Sequence, residues 1–381
     1  MSRRIDDIEV LRAFAVLGVV IHHALDNLYT WSTPTLNWLR SSFMGGAGVD
    51  LFLVISGFVI ARELVPRLLG ASDRNQAWHL IIAFWIRRAW RLLPSAWLWL
   101  TLILLASLLF NQTGVFASFE VNLEATLAGV LQYANVRFAH TFMQSPYGAS
   151  FVYWSLSLEE QFYLLLPLLV LVSRRFLPLV LIGLILYQWF TARTLMMVVF
   201  RTDALALGVL LAIWSHSLSY RRFKPLLLAR QRWLAMLTLL GLCLLMGLVG
   251  SQVLLLPDHR FSVHAALAAV LVWLASCDFD FFAFWPRLKK LLLWAGARSY
   301  AIYLIHVPAY FVTRELWSRI FPGRVFGEEH FWLFTFTAIS LILLLSECNY
   351  RFIEMPLRSH GALIAERFLR RKAGADVGTA A

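Results

Sequence analysis

The first residues able to do chemistry are Arg12 and His23, both set in the apolar run from Leu11 to His23. They are eleven positions apart, so on a helix they share one face within about 20° and are separated by roughly 16 Å of rise. His22 points about 100° away from that face. A neutral imidazole at position 23 can take a proton from a hydroxyl near neutral pH, which is general-base work. The competing account is packing: Arg12 snorkels to a headgroup layer and His23 is a hydrogen-bonded core histidine.

Further polar residues interrupt apolar runs at separate places. Asp50 and Ser56 stand in Gly48-Val49-Asp50-Leu51-Phe52 and its continuation to Phe58. A carboxylate in a first helical turn is also what the helix dipole favours, so Asp50 has a structural account. Arg87, Arg88 and Arg91 precede Pro94; Arg87 and Arg91 share a helix face at i, i+4, a spacing suited to gripping phosphates. A basic helix end is equally what membrane sidedness would demand. In Trp154 to Tyr163, Ser157 and Glu160 have capping-box spacing, which leaves Glu159 unexplained. Arg201 and Asp203 open another run, where Asp203 also reads as a cap, and Tyr303 and His306 lie along one helix side. His306 either lines an acceptor pocket or packs just before the kink expected at Pro308.

The elements that must position these groups are membrane helices. Of 381 residues, 60% are hydrophobic and 15% charged, with 16 Trp and 29 Phe, a composition suited to lipid and its interface. Ten stretches approach the roughly 20 apolar residues a span needs: 8–29, 47–64, 91–110, 155–173, 176–191, 199–215, 232–252, 262–278, 291–315 and 331–353. The expected fold is an all-α integral membrane bundle of about ten transmembrane helices. The first stretch is too long and too charged for a cleaved signal, so it reads as a retained span. With both termini cytoplasmic, 24 of the 34 Lys and Arg fall in inner segments, in accord with the positive-inside bias. A membrane domain is expected over 1–360, followed at 361–381 by a basic cytoplasmic tail disordered at its end. The outer 111–153 segment should hold a surface helix around Val121 to Phe138. The net charge of +12 forms no nucleic-acid motif. Cys243, Cys277 and Cys348 have no metal-ligand spacing, so no metal is expected.

On this topology His23, Glu159, Asp50 and Asp203 share a depth in the outer third, while Arg12, Arg87, Arg88, Arg91, Arg298 and Glu354 lie at the inner end. A basic inner mouth facing an acidic outer chamber suits a phosphorylated donor such as coenzyme A, whose pantetheine arm climbs toward His23. Asp26 or Glu159 would orient the imidazole.

Seven motifs in order then resemble the acyltransferase 3 family of multi-pass membrane acyltransferases. They are R-x(10)-H at 12–23, G-V-D-L-F-L-V-I-S-G-F at 48–58, R-R-x-x-R-x-x-P at 87–94, W-S-L-S-L-E-E-Q-F-Y at 154–163, R-T-D-A-L-A-L-G at 201–208, S-Y-A-I-Y-L-I-H at 299–306 and Y-R-F-I-E-M-P at 350–356. The resemblance implies O-acyl transfer, most often of acetyl, from cytoplasmic acyl-CoA to a hydroxyl of an extracytoplasmic or lipid-linked glycan or glycoside. The setting is the bacterial inner (plasma) membrane. It places the essential His and Arg at His23 and Arg12, the glutamate at Glu159 and the donor-binding arginines at Arg87, Arg88 and Arg91. Asp50, Ser56, Arg201, Asp203, Tyr303 and His306 are expected to support the acceptor pocket. Acetyl-CoA is a co-substrate, with no permanent cofactor, and the expected partners are membrane lipid, the glycan acceptor and a separate extracytoplasmic acyl-handling protein. Some relatives carry an extra serine-esterase-like domain, which is not expected here. The rival readings are a secondary transporter or flippase of an anionic envelope precursor, and a purely structural subunit.

Overall fold

The computed structural model describes residues 5–256 and 259–378, with 372–378 by backbone alone. Among these residues there is no strand, only an isolated bridge between Val249 and Leu254. Helix α1 (Asp6–Asn27) carries both Arg12 and His23. Thr33 caps the short α2 (Pro34–Ser42), its hydroxyl accepting the Leu36 N–H at 3.1 Å. Then come α3 (Gly48–Leu69) and α4 (Arg74–Leu109). Asp73 caps α4 by accepting the Gln76 N–H at 2.8 Å. At 36 residues α4 is about 54 Å long, well beyond the thickness of a bilayer core. Its extra turns before Arg91 explain why the apolar count located only its second half.

Two helices, α5 (Phe119–Val130) and α6 (Ala134–Thr141), replace the single surface helix expected after α4. They are followed by α7 (Tyr153–Ser173), α8 (Leu177–Phe190), α9 (Leu195–Val199) and α10 (Asp203–Trp214). The short α11 (Leu218–Arg222) and α12 (Leu226–Arg230) lead to α13 (Arg232–Leu248) and α14 (Arg260–Ser276). The chain ends in α15 (Pro286–Ala297), α16 (Ser299–Ile320), α17 (Phe331–Asn349) and α18 (Met355–Gly378).

Each of the ten apolar stretches contains a helix, and among the described residues six helical runs are long and apolar enough to cross a membrane: Asp6–Asn27, Pro34–Leu69, Arg74–Leu109, Tyr153–Phe190, Leu195–Trp214 and Glu328–Arg371. The rest are shorter or more polar; α13 and α14 have 17 residues each, and α16 carries Arg314, Glu315 and Arg319. The ninth stretch is broken at Arg298, whose guanidinium turns aside to pair with Glu347. The boundary expected at 360 falls inside α18, which is helical to Gly378 and packs along α4; residues 379–381 lie outside the described residues.

Helix α3 is the hub, packed against α1, α7, α10 and α14. Its crossing with α10 is backbone to backbone. A Cβ on Gly57 would lie 2.3 Å from the Leu205 carbonyl oxygen, and one on Gly208 would lie 2.2 Å from that of Val54. Only glycine permits this approach. Beyond α4, the buried Glu315 carboxylate accepts the N–H groups of Gln112 and Thr113 at 2.7 and 3.0 Å, tying the following loop to α16.

Candidate active site

Two cavities enter the bundle from opposite ends of α1. The first is a funnel whose mouth, about 1480 Å³, is lined by Glu9, Arg12, Arg62, Glu63, Arg88, Arg91, Glu354 and Arg358. Arg12, Arg88, Arg91 and Tyr300 continue into a narrower upper part of about 750 Å³, which ends at Ser155, Glu159, Tyr163 and Tyr303. Arg12 is held by Glu9 at 2.8 Å. Arg88 lies over the rings of Phe84 and Tyr163, 5.6 and 5.4 Å from their centroids. The Glu159 carboxylate accepts from both Ser56 Oγ and Tyr163 Oη, whose oxygens are themselves 2.5 Å apart. Tyr300 anchors the wall by donating to the Leu92 carbonyl at 2.8 Å. At the mouth, Tyr350–Glu354 widen into a π-helical turn ahead of Pro356, whose ring and missing N–H disfavour a regular turn there. Arginines outnumber glutamates in this mouth, which suits a polyanionic ligand.

The second cavity, about 1100 Å³, is lined by His22, His23, Asn27, Thr141 and an aromatic set that includes Phe138, Tyr147, Phe151 and Trp154. Burial pushes the Tyr147 phenol up to about 12, so it stays protonated near neutrality, and Arg137 lies 4.4 Å from its ring centroid. His23 Nδ1 is 2.8 Å from His306 Nε2, the rings are coplanar within 7°, and the edge of Phe151 meets His23 at 5.2 Å. His306 is fully buried, with Tyr303 and Tyr310 at 5.7 and 5.9 Å. The wall between the cavities is thin. On the first turn of α7, Trp154 looks into the histidine cavity and its neighbour Ser155 into the arginine funnel, where Ser155 Oγ lies 2.6 Å from Tyr303 Oη.

The structure therefore regroups the expected site. Arg12, Arg88, Arg91, Glu159, Ser56 and Tyr303 do meet in one cavity. Arg87 does not line that cavity; it meets Arg88 and Arg91 in an adjoining recess, together with Arg67 and Arg358. Glu159 lines the funnel and not the histidine cavity, its Oε1 accepting from Ser56 and Tyr163, and Asp26 pairs with Arg40 at 3.2 Å, so neither is placed to orient His23. The outer acids do not make an acidic chamber. Asp50 pairs with Arg201 at 3.0 Å and Asp203 with Arg193 at 2.5 Å, all four side chains being buried behind the cavities. Asp203 is thus an ion-pair partner, not a helix cap. The Ser157–Glu160 capping box is also absent, since Ser157 lies inside α7 and its hydroxyl accepts the Ala134 N–H at 3.2 Å, capping α6 instead. Sequence reasoning overlooked Tyr163, Ser155 and Arg193. The first was detectable, standing one turn after Glu159 on the same face.

A helical bundle of this kind, with an arginine funnel and a histidine cavity back to back, is a multi-pass membrane protein. The family profile described as an acyltransferase domain matches residues 5–346, and the chain belongs to the acyltransferase 3 family. It is 29% identical over 402 residues to the O-acetyltransferase OatA of Staphylococcus aureus (strain NCTC 8325 / PS 47), covering 98% of this chain and 60% of that protein. A putative O-acetyltransferase of the same species (strain COL) is 26% identical over 396 residues, covering 94% of this chain and 58% of that protein. The chain thus spans about three fifths of the length of these relatives. No solved structure matches it.

Proposed function

We propose that the chain is a plasma-membrane O-acyltransferase that moves an acyl group, most simply acetyl, from cytoplasmic acyl-CoA to a hydroxyl of an extracytoplasmic or lipid-linked glycan. The observation that carries this reading is the pair of cavities entering from opposite ends of α1 and separated by Tyr303, His306 and the start of α7. The arginine-rich mouth suits the donor's phosphates, and the narrow upper funnel suits an extended arm bearing a thioester. The aromatic cavity around His23 suits a ring-shaped, hydroxylated acceptor. Both termini then face the cytoplasm, with Arg12, Arg88 and Arg91 on the donor side.

In the step proposed, His23 removes the acceptor hydroxyl's proton as that oxygen attacks the thioester carbonyl carbon. The C–O bond forms, the C–S bond breaks, and the proton passes from His23 to the leaving thiolate. The products are the ester and free coenzyme A. A separate extracytoplasmic protein receiving the acyl group is compatible with the same wall.

The test is turnover by the full chain reconstituted in nanodiscs with isotopically labelled acetyl-CoA and envelope glycan extract, followed by mass spectrometry of the glycans. Labelled ester together with stoichiometric thiol release is expected. Movement of intact glycan across proteoliposomes with no thiol released would replace the enzyme by a carrier.

A further inference from the structure

We infer that His306 is a positioning residue that sets the tautomer of His23 and leaves the His23 Nε2 lone pair free for the acceptor. The inference rests on the acyl-transfer reading above and goes beyond it in saying which nitrogen acts and why. His306 Nδ1 lies 3.2 Å from the Ile302 carbonyl oxygen, one turn earlier on α16. A carbonyl only accepts, so His306 Nδ1 carries the hydrogen. With the ring neutral, His306 Nε2 is then a bare lone pair, and it faces His23 Nδ1 at 2.8 Å. That nitrogen must therefore be the donor. Coplanarity within 7° puts its N–H in the plane of the accepting lone pair. A neutral His23 with its hydrogen on Nδ1 has its basic lone pair on Nε2.

The surroundings hold this arrangement. Tyr310 donates to the Val20 carbonyl at 2.7 Å, and Tyr303 donates to that of Val152 at 3.2 Å, so the helix carrying His306 is pinned to α1 on one side and to the approach of α7 on the other. His306 is thereby fixed between two anchored rings, and the Phe151 edge confines His23. When His23 takes a proton, its Nδ1–H still donates to His306, so the bond survives the proton transfer. The role parallels that of the carboxylate in a hydrolase triad, which orients its histidine. Here the partner is neutral and adds no further charge to the middle of a membrane bundle, where isolated charge is costly.

The experiment uses full chain in nanodiscs, comparing His306→Leu, which fills space without a lone pair, with His306→Gln, whose amide oxygen can accept where Nε2 stood. Histidine-selective ¹⁵N NMR reads the tautomer independently of turnover. The expected result for His306→Leu is a fall in kcat of roughly 10²-fold or more, an unchanged donor KM, and loss of the Nδ1–H signal assigned to His23. His306→Gln should recover most of both. A His306→Leu protein that turns over like the native one while His23→Ala is inactive would overturn the positioning role. So would a ¹⁵N spectrum in which His23 carries its hydrogen on Nε2 in the native protein. Turnover that survives in His23→Ala would remove His23 as the base and the role of His306 with it, whereas absence of thiol release by the native protein would count against the acyl-transfer reading itself.

Discussion

At the scale of single residues, the two histidines of α1 give a sharp contrast, because both line the histidine cavity and only His23 touches His306. His23→Ala should lower acyl transfer by about 10² to 10⁴, with the protein still folded, whereas His22→Ala should be milder; equal losses in purified turnover assays would undo the distinction. Arg88 and Arg87 give a second contrast. Arg88→Gln removes a charge from the funnel and should raise the donor KM by roughly 10- to 100-fold, the size of a lost charged hydrogen bond. Arg87→Gln, in the adjoining recess, should shift it far less. Spacing made the face shared by Arg12 and His23 legible because one helix carries both. The pairing of His23 with His306 was not legible, since 283 residues separate them and only the packing of α16 on α1 brings them together. Asp50 and Asp203 were misread for a related reason: their partners Arg201 and Arg193 lie on other elements, so the sequence displayed the acids without their counter-charges.

At the scale of elements, hydrophobic length located a helix in each of the ten apolar stretches, because lipid imposes the same demand on each span, but it did not show α18. It could not place breaks set by tertiary contacts, such as Arg298 turning to Glu347, nor the polar extension of α4 along α18. The α3–α10 crossing carries its own prediction. Gly208→Ala would drive a methyl carbon to 2.2 Å from a backbone oxygen that has no freedom to move aside. Overpacking typically costs 1–3 kcal/mol, and a clash against backbone belongs at or above the top of that range, about 3 kcal/mol. Thermal unfolding in detergent should show a clear drop for Gly208→Ala and almost none for Gly183→Ala, where nothing lies within 4 Å.

At the scale of the whole molecule, the proposed orientation is open to direct chemical test. In a cysteine-free background, His140→Cys should react with an impermeant maleimide added to intact cells, and Arg62→Cys only after the inner face is exposed. The reverse pattern would invert the protein and detach the arginine funnel from the cytoplasmic donor. The thin wall between the funnel and the histidine cavity has an electrical consequence. With solvent in both cavities, the membrane potential does not fall evenly over some 30 Å but is concentrated across the layer of Tyr303, His306 and the first turn of α7. A full charge crossing that layer does work of about 2.3 kcal/mol per 100 mV. A neutral acyl group does none. In the acyl transfer proposed above, the acyl group would pass that layer at no electrical cost, while the Tyr303 ring would bar passive proton flow through it. Tyr303→Gly should accordingly raise the passive proton leak of proteoliposomes, read with an entrapped pH dye.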